Sequence, residues 1–201
     1  MTNRIVQDKH QWYVVDCLAI RGIKSLDIVG PIRSELKTPY LIVLLDLYSR
    51  WIEVKCVSTV TSSTVIKILS EVFKRDNYPN SLLTDNGQQF CSSEFKEYME
   101  SIGVEHKKSS IYHPETNGAV ERVNKVLKES IQLSRANNQD WKGDLQKRIT
   151  SYRFCRHSTT DEIPFELFKG RMPNTQLTPG LKDWDKGTRN NGIGVWRERE
   201  L

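Results

Sequence analysis

The chain has 201 residues, of which 37% are hydrophobic and 27% charged, and its formal net charge is +5. This composition is ordinary for a globular protein, and a chain of this length buries a core without disulfide or metal staples. It contains no apolar stretch as long as a membrane span and no apolar signal-peptide region at its start, so we expect an intracellular, soluble protein. The positive charge fits a nucleic-acid partner, and it equally fits a charge that serves solubility alone.

The four cysteines are widely spaced, which bears on metal and disulfide sites. No two of them form the C-x-x-C pair of a zinc module, and a dense disulfide framework is not indicated. We expect buried free thiols in a reducing compartment. The four residues are Cys17, Cys56, Cys91 and Cys155.

The first predicted elements are three strands. Residues 1–20 form an N-terminal extension, in which the β-branched and aromatic residues of 11–20 fit a strand and a linker equally. Residues 23–30 predict a short strand, and the nearly continuous apolar run over 40–49 predicts a central, buried one. The alternation over 50–57 predicts a half-exposed strand. Short connections favour an antiparallel meander.

Helices and strands then alternate. Residues 62–76 carry apolar side chains at helical spacing after a Ser/Thr cap, and 81–85 predict a short buried strand that ends on an acid. A helix over 93–103 stops at a glycine, and 104–108 predict a further short strand. The stripe of the first helix comprises Val65, Ile68, Leu69, Val72 and Phe73.

The last third of the chain is predicted to be helical. A polar loop over 109–118 precedes a long helix over 119–136, and a second helix follows over about 138–156. A connector over 159–173 contains one short helical turn. Residues 176–201 show no periodicity, which predicts an irregular tail. The inner stripe of the long helix comprises Val120, Val123, Leu127, Ile131 and Ser134.

The order of the elements predicts the fold class. Three antiparallel strands followed by alternating helices and strands are typical of an α/β fold with a mixed sheet and helices on both faces. Residues 21–175 contain all of these elements and form the predicted domain.

Three acids stand where elements begin or end. Asp27 lies inside the first strand, Asp85 ends a buried strand, and Glu121 falls in the first turn of the long helix. Functional groups collect at strand ends that face a crevice, and a carboxylate is costly to bury alone. Carboxylates that meet there would require a hard cation such as Mg²⁺ or Mn²⁺.

Five segments stand in order over about residues 23–175, and 35 residues lie between Asp85 and Glu121. The segments are LDIVGP (26–31), YLIVLLDLYSRWIEV (40–54), LLTDNGQQF (82–90), YHPETNGAVERVNKVLK (112–128) and PFELFKGRMP (164–173). They resemble retroviral and LTR-retrotransposon integrases of the gypsy type, and the 35-residue spacing resembles the D,D-35-E signature of that family. One such motif is weak support, whereas five at consistent spacing are specific.

The resemblance implies a ribonuclease H-like core with a mixed five-stranded sheet that trims DNA 3′ ends and joins them to target DNA. Asp27 and Asp85 would hold one metal ion, and Glu121 would complete a second site beside Asp27. Two Mg²⁺ or Mn²⁺ ions would then support an in-line displacement at phosphorus. The implied partners are double-stranded DNA ends, target DNA and further copies of the chain, in the nucleus.

The same acids also suit simpler roles. Asp85 precedes Asn-Gly, which is a turn signal, and Glu121 suits the dipole at a helix start. Asp16 competes with Asp27 as the first acid because it also lies in an apolar context. The match around Asp27 and the 35-residue spacing favour the catalytic interpretation.

Asp46 lies in the apolar run of the second strand, where it suggests a further metal ligand. We predict a structural role for it instead. Asp46 should accept hydrogen bonds from the amides of the turn that follows and from Ser49.

DNA contacts are predicted around the third acid. Two lysines, four and seven residues after Glu121, share its helix face and suit phosphate contact, although a Glu–Lys surface pair is the simpler role. Amides just before the helix would donate to phosphate. The predicted DNA-binding residues are Lys125, Lys128, Asn117, Gly118, His113 and Arg122.

The sequence also departs from the family. Glu115 stands where these proteins usually carry Gln, which adds negative charge beside the DNA path. A His/His/Cys/Cys zinc module and a C-terminal β-barrel or chromodomain are not found in the sequence. These departures favour a second interpretation, a domesticated protein that binds nucleic acid without integrating it. Another nuclease of the same fold and a protein-interaction module are further alternatives.

Overall fold

The computed structural model describes residues 22–32, 40–108 and 114–171, with the backbone alone for 114–117. The predicted extension, the tail and Asp16 lie outside these ranges. The strands are Ile23–Val29 (β1), Tyr40–Asp46 (β2), Ile52–Val57 (β3), Ser81–Thr84 (β4) and Glu105–Lys108 (β5). The helices are Ser62–Asp76 (α1), Gln88–Cys91 (α2), Ser93–Ser101 (α3), Pro114–Ala136 (α4), Trp141–Phe154 (α5) and Pro164–Lys169 (α6).

The five strands form one mixed sheet in the order β3-β2-β1-β4-β5. β1 pairs antiparallel with β2, and β2 pairs antiparallel with β3, which is the predicted meander. β4 pairs parallel with β1 and with β5. The predicted mixed sheet with flanking helices is therefore confirmed. β1 lies at its centre, where both neighbours cover its edges.

Each face of the sheet is covered by a separate group of helices. Alternate side chains of a strand point to opposite faces. Leu26 and Ile42 belong to a core cluster with side chains of α1, α2 and α3. Val29 and Val43 belong to a second cluster with side chains of α4 and α5. By its place in β1, Asp27 faces the same side as Val29, and thus faces α4.

Three elements follow the predicted patterns closely. β2 is buried at every position from Leu41 to Asp46, as expected of a strand with neighbours on both edges and helices on both faces. Helix α1 begins after Thr61, whose hydroxyl accepts the N–H of Thr64 at 3.1 Å. The stripe of α4 is buried as predicted, with Leu127 and Ile131 fully enclosed.

Asp46 has the structural role that we predicted. Its Oδ1 accepts the N–H of Ser49 at 2.8 Å and the hydroxyl of Ser49 at 2.7 Å. Its Oδ2 pairs with the Nζ of Lys24, directly across the ladder, at 3.0 Å. Both side chains are buried. This ion pair, which the sequence pattern did not indicate, joins β1 to β2 beneath α6, where the Lys24 ammonium lies 4.8 Å from the ring centre of Phe168.

The start of α4 corrects the predicted loop over 109–118. The helix begins at Pro114, so residues 114–118 are helical, and residues 109–113 lie outside the described ranges. Proline suits a first helical position because it lacks the N–H that would stay unbonded there. Glu121 therefore lies about two turns into the helix and not in its first turn.

The exposure of the cysteines contradicts a second prediction, that they are buried. Cys91 and Cys155 are exposed and Cys56 is half-buried, so the expected burial is wrong for these three, which are all free thiols. Cys91 ends α2 and Cys155 caps α5, and element ends lie at the surface. Cys17 lies outside the described ranges. Among the helices described, none is long and apolar enough to cross a membrane.

Candidate active site

Asp27 projects from β1 toward α4 and is held by two hydrogen bonds. Its Oδ1 accepts the N–H of Ile28 at 2.8 Å. Its Oδ2 accepts a short hydrogen bond from the side-chain amide of Asn124 on α4. The carboxylate is half-buried and fixed in orientation from two sides.

Asp85 directly follows β4, next to β1 in the sheet. The parallel register places Ser25 opposite Leu83. Each aspartate follows its residue of that pair by two positions, so both lie toward the same end of the two strands, and the charge of Asp85 acts on Asp27. Asp85 Oδ1 accepts the N–H of Gly87 at 2.9 Å. The predicted turn signal is thus real, and the turn positions the carboxylate.

The two carboxylates interact electrostatically. Burial raises the pKa of Asp27 above its ordinary value, and the charge of Asp85 raises it further. The hydrogen bonds from Ile28 and Asn124 and the charge of Lys128 lower the pKa of Asp27, but the raising effects exceed them. The pair therefore places like charges at one end of the sheet, with the Lys128 ammonium near enough to offset them in part.

Sequence reasoning missed Asn124. This side chain is 7% exposed, and within the described residues its Oδ1 has no hydrogen-bond partner. Asn124 adjoins Val123 and lies three residues before Leu127, so it is an amide on the buried side of an amphipathic helix. A polar residue in such a position is the signal that would have identified it, because buried amides take partners.

Glu121 lies on α4 one turn before Asn124, and its side chain is exposed. The part of the chain that the structure describes contains no group of three His, Cys, Asp or Glu side chains placed to hold one metal ion. The charge of Asp85 acts on Asp27, so these two acids are close together. Glu121 does not form a group with them, although it lies on α4 only one turn before Asn124.

The two aspartates fit a shared divalent cation. Burial and the like charge of Asp85 raise the pKa of Asp27, and an added cation would lower it. Oxygen ligands suit Mg²⁺ and Mn²⁺. At Gly87, an added Cβ would lie 3.0 Å from Asp85 Oδ1, so glycine leaves that oxygen accessible.

A hydrogen bond between Thr84 and His106 supports the end of β4. The Thr84 hydroxyl donates to the carbonyl oxygen of Asp85 at 2.9 Å, and it lies 2.9 Å from Nε2 of His106 on β5. Since the hydroxyl has one proton, Nε2 donates to Thr84. Burial and the charge of Lys108 lower the pKa of His106, which favours this neutral ring. Sequence reasoning did not find this contact.

The predicted DNA-binding residues lie in different places. Lys128 is close enough to Asp27 for its charge to act there. Lys125 is exposed, and its Nζ lies 3.9 Å from Oε1 of Glu129. Its acidic partner is therefore Glu129 and not Glu121, the partner that the surface-pair interpretation predicts. Arg122 points to the side of α4 away from Asn124, where it lines a pocket.

The remaining predicted contacts precede these on the chain. Asn117 and Gly118 lie inside α4 and not before it. Their predicted place before the helix is therefore wrong, whereas their contact with phosphate stays a prediction. The side chain of Asn117, His113 and the side chain of Glu115 lie outside what the structure describes.

Known proteins resemble this chain over most of its length. A family model described as an integrase core domain matches residues 10–114, about half of the chain. An uncharacterized protein of Caenorhabditis elegans is 33% identical over 154 residues, which is 76% of this chain and 12% of that protein. The Gag-Pol polyprotein of avian reticuloendotheliosis virus is 32% identical over 151 residues, which is 74% of this chain and 13% of that protein. The chain thus spans about an eighth of the length of these relatives.

Solved structures share the fold. The HTLV-2 integrase catalytic core domain in complex with magnesium has a TM-score of 0.60 at 22% identity, covering 74% of this chain and 96% of that one. The catalytic core of BIV integrase has a TM-score of 0.61 at 19% identity, covering 75% and 95%. The expected ribonuclease H-like fold is therefore confirmed. The chain belongs to the integrase core domain family of retroviral type.

Proposed function

We propose that this chain is a Mg²⁺- or Mn²⁺-dependent polynucleotidyl transferase that processes DNA 3′ ends and joins them to target DNA. One observation carries the proposal: Asp27 and Asp85 lie at the same end of the parallel strands β1 and β4 in an integrase core, near enough for the charge of Asp85 to act on Asp27. Paired carboxylates at strand ends are costly unless a cation joins them.

Each residue of the site has a distinct task in this proposal. Asp27 and Asp85 would hold a divalent cation, and Glu121 would contribute the third carboxylate. Asn124 orients Asp27 by donating to its Oδ2. Two bound divalent ions supply charge stabilisation to the attacking and leaving oxygens of a phosphoryl displacement. Lys128 adds positive charge where a DNA phosphate would approach.

Glu121 is assigned by its position on α4. It precedes Asn124 by three residues, which is a rise of about 4.5 Å along the helix and nearly the same face. Since the Asn124 amide contacts Asp27, a glutamate one turn away has the length to approach the same carboxylates. That approach would need a cation among the carboxylates, because three like charges repel one another.

The partners follow from the same proposal. DNA ends and target DNA would lie along the exposed lysines of α4, Lys125 and Lys128. We propose that copies of the chain associate, because joining two DNA ends needs two sites and the HTLV-2 core occurs in dimeric and trimeric forms. We propose that the chain acts in the nucleus, because its target DNA is located there.

The test is Mn²⁺-dependent strand joining, or its reversal on branched DNA, with the full chain and two variants. Asp85→Asn and Glu121→Gln should each lose roughly 100-fold or more in rate, as expected when charge stabilisation at a reacting centre is removed. Glu129→Gln is the matched control for Glu121, because it lies on the same helix and is also exposed. It should keep full activity. Equal activity in all four proteins would refute the assignment.

A second candidate function is DNA binding without catalysis. The separation of Glu121 from the two aspartates favours it. It predicts that wild-type protein binds duplex DNA in a salt-dependent manner and cleaves none in Mn²⁺. A substrate panel with RNA–DNA hybrids and flaps separates both candidates from another nuclease of this fold.

A further inference from the structure

A basic pocket lies on the side of α4 opposite the two aspartates. Its volume is about 480 Å³, and it is bounded by α4, the end of α5 and the segment that follows α5. Arg122 precedes Asn124 by two residues, so the two side chains point about 200° apart around the helix axis. The pocket is therefore separate from the proposed active site and does not depend on the proposed function.

Cationic side chains line this pocket. Three arginines, Arg122, Arg148 and Arg156, take part, and no Asp or Glu is among the lining residues that the structure describes. In the described ranges Arg122 and Arg148 form no ion pair with an acidic side chain. Arg156 donates a 2.6 Å hydrogen bond from its Nη1 to the carbonyl oxygen of Asp161.

Two neutral donors add to the arginines. The Tyr152 hydroxyl is buried and has no hydrogen-bond partner within the described residues. Nδ1 of His157 accepts the N–H of Thr159 at 3.2 Å, so the proton of the neutral ring is on Nε2. The His157 ring packs edge-on against Tyr152 with centroids 5.6 Å apart. The pocket thus collects donors and positive charge in a partly enclosed space.

We propose that this pocket binds a phosphate group. The planar guanidinium forks of Arg122 and Arg148 match phosphate oxygens, and charge-assisted hydrogen bonds are the strong ones. An unpaired buried hydroxyl such as that of Tyr152 gains a partner when an anion enters. The phosphate belongs either to a DNA backbone or to a free phosphate or pyrophosphate, since both present the same oxygens.

The experiment titrates pyrophosphate into the full chain at constant ionic strength, with chloride as the reference anion, by calorimetry and by the shift in Tm. The pocket variant is Arg122→Gln/Arg148→Gln. The matched control is Lys96→Gln/Lys147→Gln, which removes the same charge from two exposed lysines elsewhere. We expect saturable binding that weakens about tenfold or more in the pocket variant and is unchanged in the control.

A competition arm identifies the source of the phosphate. If duplex DNA displaces pyrophosphate, and the pocket variant loses both, the pocket holds a backbone phosphate. If pyrophosphate saturates the site in the presence of excess duplex, a free phosphate is the ligand. Binding that never saturates, or equal weakening in both variants, would overturn the proposal. Because Arg122 is exposed, the single variant Arg122→Gln retains the fold and repeats the test if the double variant melts early.

Discussion

At the scale of single residues, burial next to like charge decides how groups titrate. His157 has its pKa lowered to about 4, from an ordinary 6.5, by burial and by the charges of Arg50 and Arg122. Burial also shifts the pKa of Asp27, but it raises this pKa, because the charged form that burial disfavours is the anion. Both shifts arise where chain segments far apart in sequence meet.

The lowered pKa of His157 predicts a pH-dependent stability. Between about pH 4 and pH 6.5 the unfolded chain binds a proton at His157 that the folded chain does not, so the free energy of unfolding rises with pH in this window. Above it the contribution is constant. In phosphate-free buffer, wild-type protein should gain more stability from pH 4 to 6.5 than His157→Asn, as urea denaturation measures.

The same titration has a direct control. The imidazole resonance of His157 should titrate near pH 4 by NMR, whereas Asp27 contributes an opposite slope that both proteins share. Parallel stability curves for wild type and variant would show that the folded His157 titrates normally.

At the scale of elements, the buried ion pair of Lys24 and Asp46 joins β1 to β2 and supports α6. Lys24→Met leaves the Asp46 carboxylate buried without its cation, and such a loss costs about 3 kcal/mol or more. For a chain of this length that lowers Tm by roughly 6–12 °C. Thermal denaturation by circular dichroism measures it.

Two further variants define the cause. Lys24→Met/Asp46→Asn removes both charges and should be more stable than Lys24→Met alone, because no uncompensated charge stays buried. Lys67→Met, on the exposed side of α1, should change stability by less than about 0.5 kcal/mol. If the double variant were the less stable of the two, charge burial would not be the dominant cost.

Elements with a strong local pattern were predictable, and contacts between distant segments were not. α1 matches its predicted bounds because its stripe and its Thr61 cap are local signals. The start of α4 was missed because its polar residues and glycine resemble a loop, whereas Pro114 suits a first helical position. Asn124 and His106 were missed because their partners, Asp27 and Thr84, are set by how strands and helices pack.

The candidate site was likewise predictable in part. Asp27 and Asp85 were identified by resemblance, and the parallel register of β1 and β4 supplies the reason that they meet. The orientation of Arg122 was not predictable from its place beside Glu121. Its angle around α4 directs it to the basic pocket instead.

At the scale of the whole molecule, basic side chains lie on two sides of α4. Lys128 stands near the two aspartates, whereas Arg122 and Arg148 line the opposite pocket. If DNA follows the aspartate side, its phosphates displace counterions at Lys128, and affinity must fall as salt rises.

Lys128→Gln should therefore change the salt dependence of DNA binding as well as its strength. Measured by fluorescence anisotropy with duplex DNA in EDTA, the slope of log affinity against log salt should decrease by about one for each lost phosphate contact. Lys67→Gln is the control, because α1 packs on the other face of the sheet and its lysine is exposed. An identical slope for wild type and Lys128→Gln would place the DNA path away from Asp27. A reduced slope for Lys128→Gln alone would place a phosphate beside the two carboxylates, where the proposed chemistry needs it.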